Sequence, residues 1–169
     1  SEAARQASEL TGSTWILAQE QTAARGRRGR SWATPRGNFA ATLMMRRSES
    51  PSTAALRSFV ASLALRRAFV ATTRDEGAFT LKWPNDVLLN GGKVAGILLE
   101  SIGDFLAIGI GVNLAHAPGA DQVEAGALRP VSVVAETGKV VPPEVFLDAL
   151  AAEYAQLETQ FQTYGFAPI

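Results

Sequence analysis

The chain contains no cysteine, a single histidine (His116) and no excess of either charge, with 16 basic against 16 acidic residues. Without cysteine there is no disulfide framework and no thiolate nucleophile. With one histidine, a Ser-His-Asp triad or a zinc site would have to be built around His116, which argues against both. Zero net charge argues against a nucleic-acid-binding polycation. No apolar run approaches the roughly 18–20 residues of a membrane span, and no signal-peptide pattern is present. What remains is a chain of 169 residues, 47% hydrophobic and 19% charged, which is the composition of one folded domain. It begins at Ser1 rather than Met and stops at Ile169 just after a helical pattern, so a trimmed or processed piece of a longer protein is expected.

Periodicity places the elements. Ser1–Leu10 reads as a helix, and Thr14–Gln19 as a strand from its β-branched and aromatic start. Phe39–Arg46 is a buried strand. Leu56, Phe59, Val60, Leu63 and Val70 recur at helical steps within 53–72, with Ser52 or Thr53 as cap. Strands follow at Phe79–Trp83, Val87–Leu89, Lys93–Ser101 and Phe105–Leu114, several joined by tight turns such as Asn90-Gly91. Val131–Glu136 is a short helix closed by Gly138. Pro142 and Pro143 open the last helix, where Phe146, Leu150, Tyr154, Leu157, Phe161 and Tyr164 step by three and four until Gly165. The expected fold class is α+β, a mixed, largely antiparallel sheet flanked by helices.

Three segments carry chemistry. In the first, Arg25, Arg27, Arg28 and Arg30 alternate with Gly26 and Gly29. A run of like charges is ordinarily a solvated face. Here the glycines permit close backbone approach, and arginine suits bidentate contact with phosphate or carboxylate. The segment is neither a P-loop nor a dinucleotide fingerprint. Trp32 at its end is either core packing or a flat wall against an aromatic ring.

In the second, Lys82-Trp-Pro-Asn-Asp86 ends a strand at a forced turn. Pro84, Asn85 and Asp86 are explained as turn residues, but Lys82 is not. Asp86 is also a suitable ligand for Mg²⁺, which takes one or two carboxylates plus substrate phosphates. In the third, Lys93 enters an apolar strand interrupted by Gly96, where a glycine implies that something comes close. Lys93 is either an ordinary strand-entry lysine or part of the arginine site. Gly109-Ile-Gly111-Val-Asn113 adds two strand glycines, for which a bulge is the plain explanation. Together these parts predict a site for a triphosphate, Mg²⁺ and a second, compact substrate.

Arg25-Gly-Arg-Arg-Gly-Arg-Ser-Trp32, Lys82-Trp-Pro-Asn-Asp86, Lys93-Val-Ala-Gly-Ile-Leu-Leu-Glu100 and Gly109-Ile-Gly-Val-Asn113 resemble, in order and at similar spacing, the catalytic domain of biotin protein ligases. The resemblance covers roughly 14–166. It implies a class II aminoacyl-tRNA synthetase-like fold and an enzyme that uses ATP and Mg²⁺ to make biotinyl-5′-AMP and diphosphate. Biotin then passes to a lysine of a biotin carboxyl carrier domain, in acetyl-CoA carboxylase or another biotin-dependent carboxylase. Carried over by position, Lys93, Arg28 and Lys82 would be catalytic. Gln21, Arg25, Arg27, Lys93 and Gly96 would bind biotin. Arg25, Arg28, Trp32, Lys82, Asn85 and Asn113 would bind the nucleotide, and Asp86 the metal.

The chemistry agrees with the absences noted above, because joining a carboxylate to an α-phosphate needs cations rather than a protein nucleophile. Three departures stand out. Ala24 replaces the glycine usual at the start of the arginine segment. The Ser-Thr-Asn segment that helps hold biotin is missing, Ser13-Thr14 lying too late to be its equivalent. The small C-terminal domain and any N-terminal DNA-binding domain are also missing. Residues 1–169 therefore read as a ligase-type catalytic domain cut at both ends. A lipoate or octanoate ligase of the same fold is the alternative enzyme, and a core that holds biotin or its adenylate without turnover is the alternative binder. A cytoplasmic location follows from the missing signal peptide and the need for ATP. An exposed sheet edge could pair two subunits as a homodimer, though no residue requires it.

Overall fold

A computed structural model of the chain describes residues 10, 12–21, 24, 26, 29, 32, 34–119, 122–124 and 126–169. The helix expected over Ser1–Leu10, Leu10 apart, and Arg25, Arg27 and Arg28 lie outside the described residues.

Six strands form one sheet: β1 (Thr14–Ala18), β2 (Phe39–Arg46), β3 (Phe79–Lys82), β4 (Asp86–Leu89), β5 (Gly92–Ile102) and β6 (Phe105–Val112). Their order is β1-β2-β6-β5-β4-β3, and every named pair is antiparallel. A parallel pairing enters as the isolated bridge from Lys93 to Pro130. The helices are α1 (Pro51–Ala55), α2 (Arg57–Thr73), α3 (Val133–Thr137) and α4 (Pro143–Tyr164). None of the described helices is long and apolar enough to cross a membrane.

The strands alternate between two faces. Phe39, Ala41, Leu43 and Met45 of β2, Leu106, Ile108, Ile110 and Val112 of β6 and Ala95 and Ile97 of β5 join α2 and α4 in one core. Four phenylalanines from different elements tie it together. Phe146 lies edge-on to Phe39 at 5.1 Å and 5.0 Å from Phe69, which stacks on Phe79 at 4.6 Å.

The middle helix differs from expectation in three ways. It is broken at Leu56 into α1 and α2, and its cap is Ser50 rather than Ser52 or Thr53: Thr53 N donates to Ser50 Oγ at 3.2 Å, with Pro51 in the first turn. The buried stripe of α2 runs through Val60, Ala64, Leu65, Ala68 and Phe69, while Phe59, Leu63 and Val70 are only half-buried. Alanines weigh little in a hydrophobic pattern, yet they let α2 and α4 approach closely. On α4 the stripe holds from Phe146 to Phe161, but Tyr164 is 73% exposed because the helix ends there, beyond the sheet it covers.

One charged cluster is buried between the helices. Arg57 is 5% exposed; its Nε donates to both Glu158 oxygens at 3.1 Å, and its guanidinium also pairs with Glu49. Burial pushes the guanidinium down, but the hydrogen bond and charge of Glu158 and the charge of Glu49 outweigh it, so the net shift is upward. Tyr154 Oη donates to Glu158 Oε2 at 3.2 Å, and burial holds the phenol far above its ordinary value.

Candidate active site

The sheet's second face is different in kind. Register connects one row across all six strands: Lys82 opposite Asp86, Asp86 opposite Gly96, Gly96 opposite Gly111, Gly111 opposite Ala40, and Ala40 opposite Ala18. Partners share a face in an antiparallel sheet, so a charged pair borders a floor of glycine and alanine. Gly109 opposite Thr42 continues the floor one row away. Neither strand glycine in β6 is a bulge, contrary to the plain explanation from sequence, because the β2 and β5 registers run through both without a shift.

A bulge instead lies where β4 meets β5. Val87 pairs with Ala95 and Leu88 with Lys93, so Val94 is the extra residue. Lys93 and Gly96 are three apart, and simple alternation would put them on opposite faces. The bulge brings both to the floor side. Lys93 Nζ lies 2.7 Å from Asp86 Oδ1, an ion pair without aligned hydrogen-bond geometry. Trp32 lies over the same floor. A Cβ added to Gly111 would fall 2.5 Å from its Nε1, and one added to Gly96 would fall 3.6 Å from its Cζ3 and from Lys93 Nζ. The Lys93 ammonium stands 5.7 Å from the indole centroid.

The structure thus brings together Trp32, Lys82, Asp86, Lys93 and Gly96. Lys82 is exposed at the rim. Gln21 is exposed too, bridged to Thr34, whose Oγ1 donates to its Oε1 at 3.2 Å. Asn85 and Asn113 are tied to backbone. Asn85 Nδ2 donates to Ile97 O at 2.7 Å, while Ile97 N donates back to Asn85 O at 3.0 Å. Asn113 is buried, with Nδ2 donating to Val131 O at 3.1 Å.

That last bond belongs to a support which the sequence did not disclose. Lys93 N donates to Arg129 O at 2.8 Å and Val131 N donates to Lys93 O at 3.0 Å, so segment 129–131 grips the lysine's own backbone. A Cβ on Gly92 would collide with Val131 Cγ1 at 2.3 Å, so only glycine lets this segment close in. Asn90 Nδ2 and Arg129 NH2 both donate to Glu136, at 3.1 and 3.0 Å. The Asn90 bond, foremost, holds the Glu136 carboxyl below its ordinary range. A concavity of about 400 Å³ lined by Ala71, Arg74, Val141 and Val145 contains none of the expected site residues.

An antiparallel sheet backed by helices, with a small-residue floor bordered by Lys82, Lys93 and Asp86, is the synthetase-like fold of a ligase. The model of the biotin/lipoate A/B protein ligase family matches residues 2–114, and the chain belongs to that family. It is 56% identical, over 99% of its length and 72% of the relative's, to the biotin–[acetyl-CoA-carboxylase] ligase of Paracoccus denitrificans. Among solved structures it is similar to the biotin protein ligase from Aquifex aeolicus in complex with biotin and ATP (27% identity, TM-score 0.83, 96% of this chain and 68% of that one). It is also similar to the Leishmania major biotin protein ligase in complex with biotinyl-5-AMP (28% identity, TM-score 0.76, 95% and 75%).

Proposed function

We infer that this chain is the catalytic core of a biotin–[acetyl-CoA-carboxylase] ligase. In the first step a biotin carboxylate oxygen attacks the α-phosphorus of ATP; the bond to the bridging oxygen breaks, and diphosphate leaves with its electron pair. In the second step the amine of a carrier-domain lysine attacks the acyl carbon of biotinyl-5′-AMP, an amide forms, and AMP leaves. The carrier domain of acetyl-CoA carboxylase is the proposed acceptor. The observation that carries this reading is the Lys93–Asp86 pair beside the glycine floor, in a chain 56% identical to a ligase of that name.

Two anionic reactants must meet, and Lys93 is the described cation set to lower their repulsion. Arg25, Arg27 and Arg28 are proposed to add charge from the preceding segment, with Arg25 and Arg27 at biotin and Arg28 at the phosphates. Gln21 and Gly96 are proposed at biotin; Trp32, Lys82 and Asn85 are proposed at the nucleotide. Asn113 is proposed at the nucleotide as well, while its Nδ2 donates to Val131 O and so holds segment 129–131 behind Lys93.

Among the described residues no group of three or more His, Asp or Glu could cage a metal ion. The single carboxylate of Asp86 fits a magnesium ion that takes its remaining ligands from phosphates and water. When bound, that ion would neutralise phosphate charge. ATP is a substrate, and its base and ribose are proposed to lie along the floor.

Purified chain given biotin, ATP and Mg²⁺ is expected to release diphosphate only when biotin is present, and to accumulate biotinyl-5′-AMP detectable by mass spectrometry. Release driven by lipoate or octanoate instead of biotin would shift the reading to the other branch of the family. Biotin binding without release would leave a binding core.

A further inference from the structure

We propose that Trp32, seated in a notch formed by Gly111 and Gly96, is the positioning residue that aims the Lys93 ammonium. This rests on the ligase reading for its consequence, but the seat itself is geometric. The three nearest atoms to a Cβ on Gly111 are Trp32 Nε1, Cε2 and Cζ2, at 2.5, 2.7 and 3.1 Å. Two of these distances are shorter than any carbon contact tolerates, so no residue but glycine admits the indole there. Gly111 and Gly96 are cross-strand partners, and Cζ3 at the far edge of the ring lies 3.6 Å from where a Cβ on Gly96 would stand. The indole therefore spans two neighbouring strands.

The backbone around Trp32 makes this placement more than a loose rotamer. Trp32 N donates to Ala24 O at 3.2 Å, and Gln21 bridges Thr34 just outside it. Lys93 then has two neighbours that select one arrangement of a long side chain. Asp86 Oδ1 lies 2.7 Å from its ammonium, and the indole ring centroid lies 5.7 Å from it. Gly96 supplies no side chain beneath, so among the described residues the charge and ring contacts of the lysine's ammonium are these two. Removing the indole leaves Lys93 paired to Asp86 yet free to swing. A displaced catalytic cation loses rate out of proportion to its displacement.

The test combines Gly111→Ala, Trp32→Ala and their double variant with two measurements on ligand-free protein and one on turnover. Tryptophan emission, taken as a difference against Trp32→Phe, is expected to move to longer wavelength in Gly111→Ala as the indole leaves its seat. Acetylation of Lys93 by limiting acetic anhydride, read by peptide mass spectrometry, is expected to rise several-fold in both single variants. Biotin-dependent diphosphate release is expected to fall roughly tenfold to a hundredfold in kcat, with the double variant no worse than Trp32→Ala.

Additive losses in the double variant would overturn the proposal, since Gly111 would then serve the ligand directly. Unchanged emission in Gly111→Ala, or unchanged Lys93 acetylation in Trp32→Ala, would overturn it as well. Trp32→Ala leaves the β6 backbone untouched, so the acetylation arm decides even where Gly111→Ala does not fold. If the parent chain releases no diphosphate, the ligase reading fails, while emission and acetylation still decide whether the indole aims the lysine.

Discussion

The two faces of one strand make the sharpest contrast in the molecule. Along β5 and β6, residues facing the helices are Ala95, Ile97, Ile108, Ile110 and Val112, all almost wholly buried. Their immediate neighbours in sequence, Gly96, Gly109 and Gly111, face the other way and carry no side chain. One face spends its side chains on packing. The other packs a small cluster of Met44, Phe105 and Ala107 at one end and, over its glycines, Trp32; glycine in a strand interior weakens a sheet. The sheet tolerates this because the helix-covered face is filled densely enough to hold the strands, leaving the glycine floor open to the Trp32 indole. Stability and chemistry are thus separated by a single residue of alternation.

The strongest way to probe that division is to damage the packed face alone. Phe146 is fully buried and touches Phe39 and Phe69, so Phe146→Ala should lower unfolding stability by about 3–5 kcal/mol. Biotin affinity per folded molecule should stay within about threefold, read by calorimetric titration below the variant's melting range. A much larger loss of affinity would mean that the packed face also shapes the floor.

The reverse experiment is Lys93→Ala. Removing the aimed cation should cut adenylate formation about 100- to 1,000-fold, as the loss of one preorganised charge-stabilising donor does. The melting temperature should change little, because a half-exposed ion pair contributes on the order of 1 kcal/mol or less. Near-normal diphosphate release would remove Lys93 from the chemistry.

These two residues also mark how much was legible beforehand. Phe146 was readable because a helix facing a sheet repeats its apolar residues at three- and four-residue steps. Lys93 stayed open from the residues alone, as a strand-entry lysine or as part of the arginine site, and only the family resemblance assigned it to the chemistry. Which face it occupied was not readable: the bulge at Val94 sits where segment 129–131 bonds to the Lys93 backbone, a contact between residues more than thirty positions apart. The same holds for Arg57 and Glu158, whose pairing across α2 and α4 leaves no periodic trace. For Asn113, only the family resemblance suggested a nucleotide contact; the structure adds a tie from its Nδ2 to Val131 O, which no pattern in the sequence announces. The arginine segment, the strongest chemical signal in the sequence, falls largely outside the described residues.

Gly92 sits where the two faces are joined, and Gly92→Ala should disturb both moderately. Its added methyl would press into Val131 and toward Arg129 O, 3.1 Å away. Overpacking of that kind lowers stability by about 1–3 kcal/mol. Because segment 129–131 holds the Lys93 backbone, kcat for diphosphate release should fall as well. A variant with lowered stability and unchanged kcat would show that the grip on Lys93 is structural only.

The smallest expected effect lies in the buried charged cluster of the packed side, and its sign can be fixed in advance. Burial, seconded by the Glu158 charge, holds the Tyr154 phenol well above its ordinary value of about 10. The fold therefore favours the neutral phenol. The stability this contributes is fully present below about pH 10 and is lost as pH rises from there toward the folded value, since only the unfolded chain then releases the proton readily. Tyr154→Phe should cost about 1 kcal/mol at pH 7, from the lost bond to Glu158. Between pH 9 and 11.5 its urea midpoint should fall less steeply than the parent's, so the two curves converge. Groups common to both chains cancel from the difference. Parallel curves across that window would mean that Tyr154 ionises in the fold as easily as in the unfolded chain, and that the buried Arg57–Glu158–Tyr154 cluster is open to water.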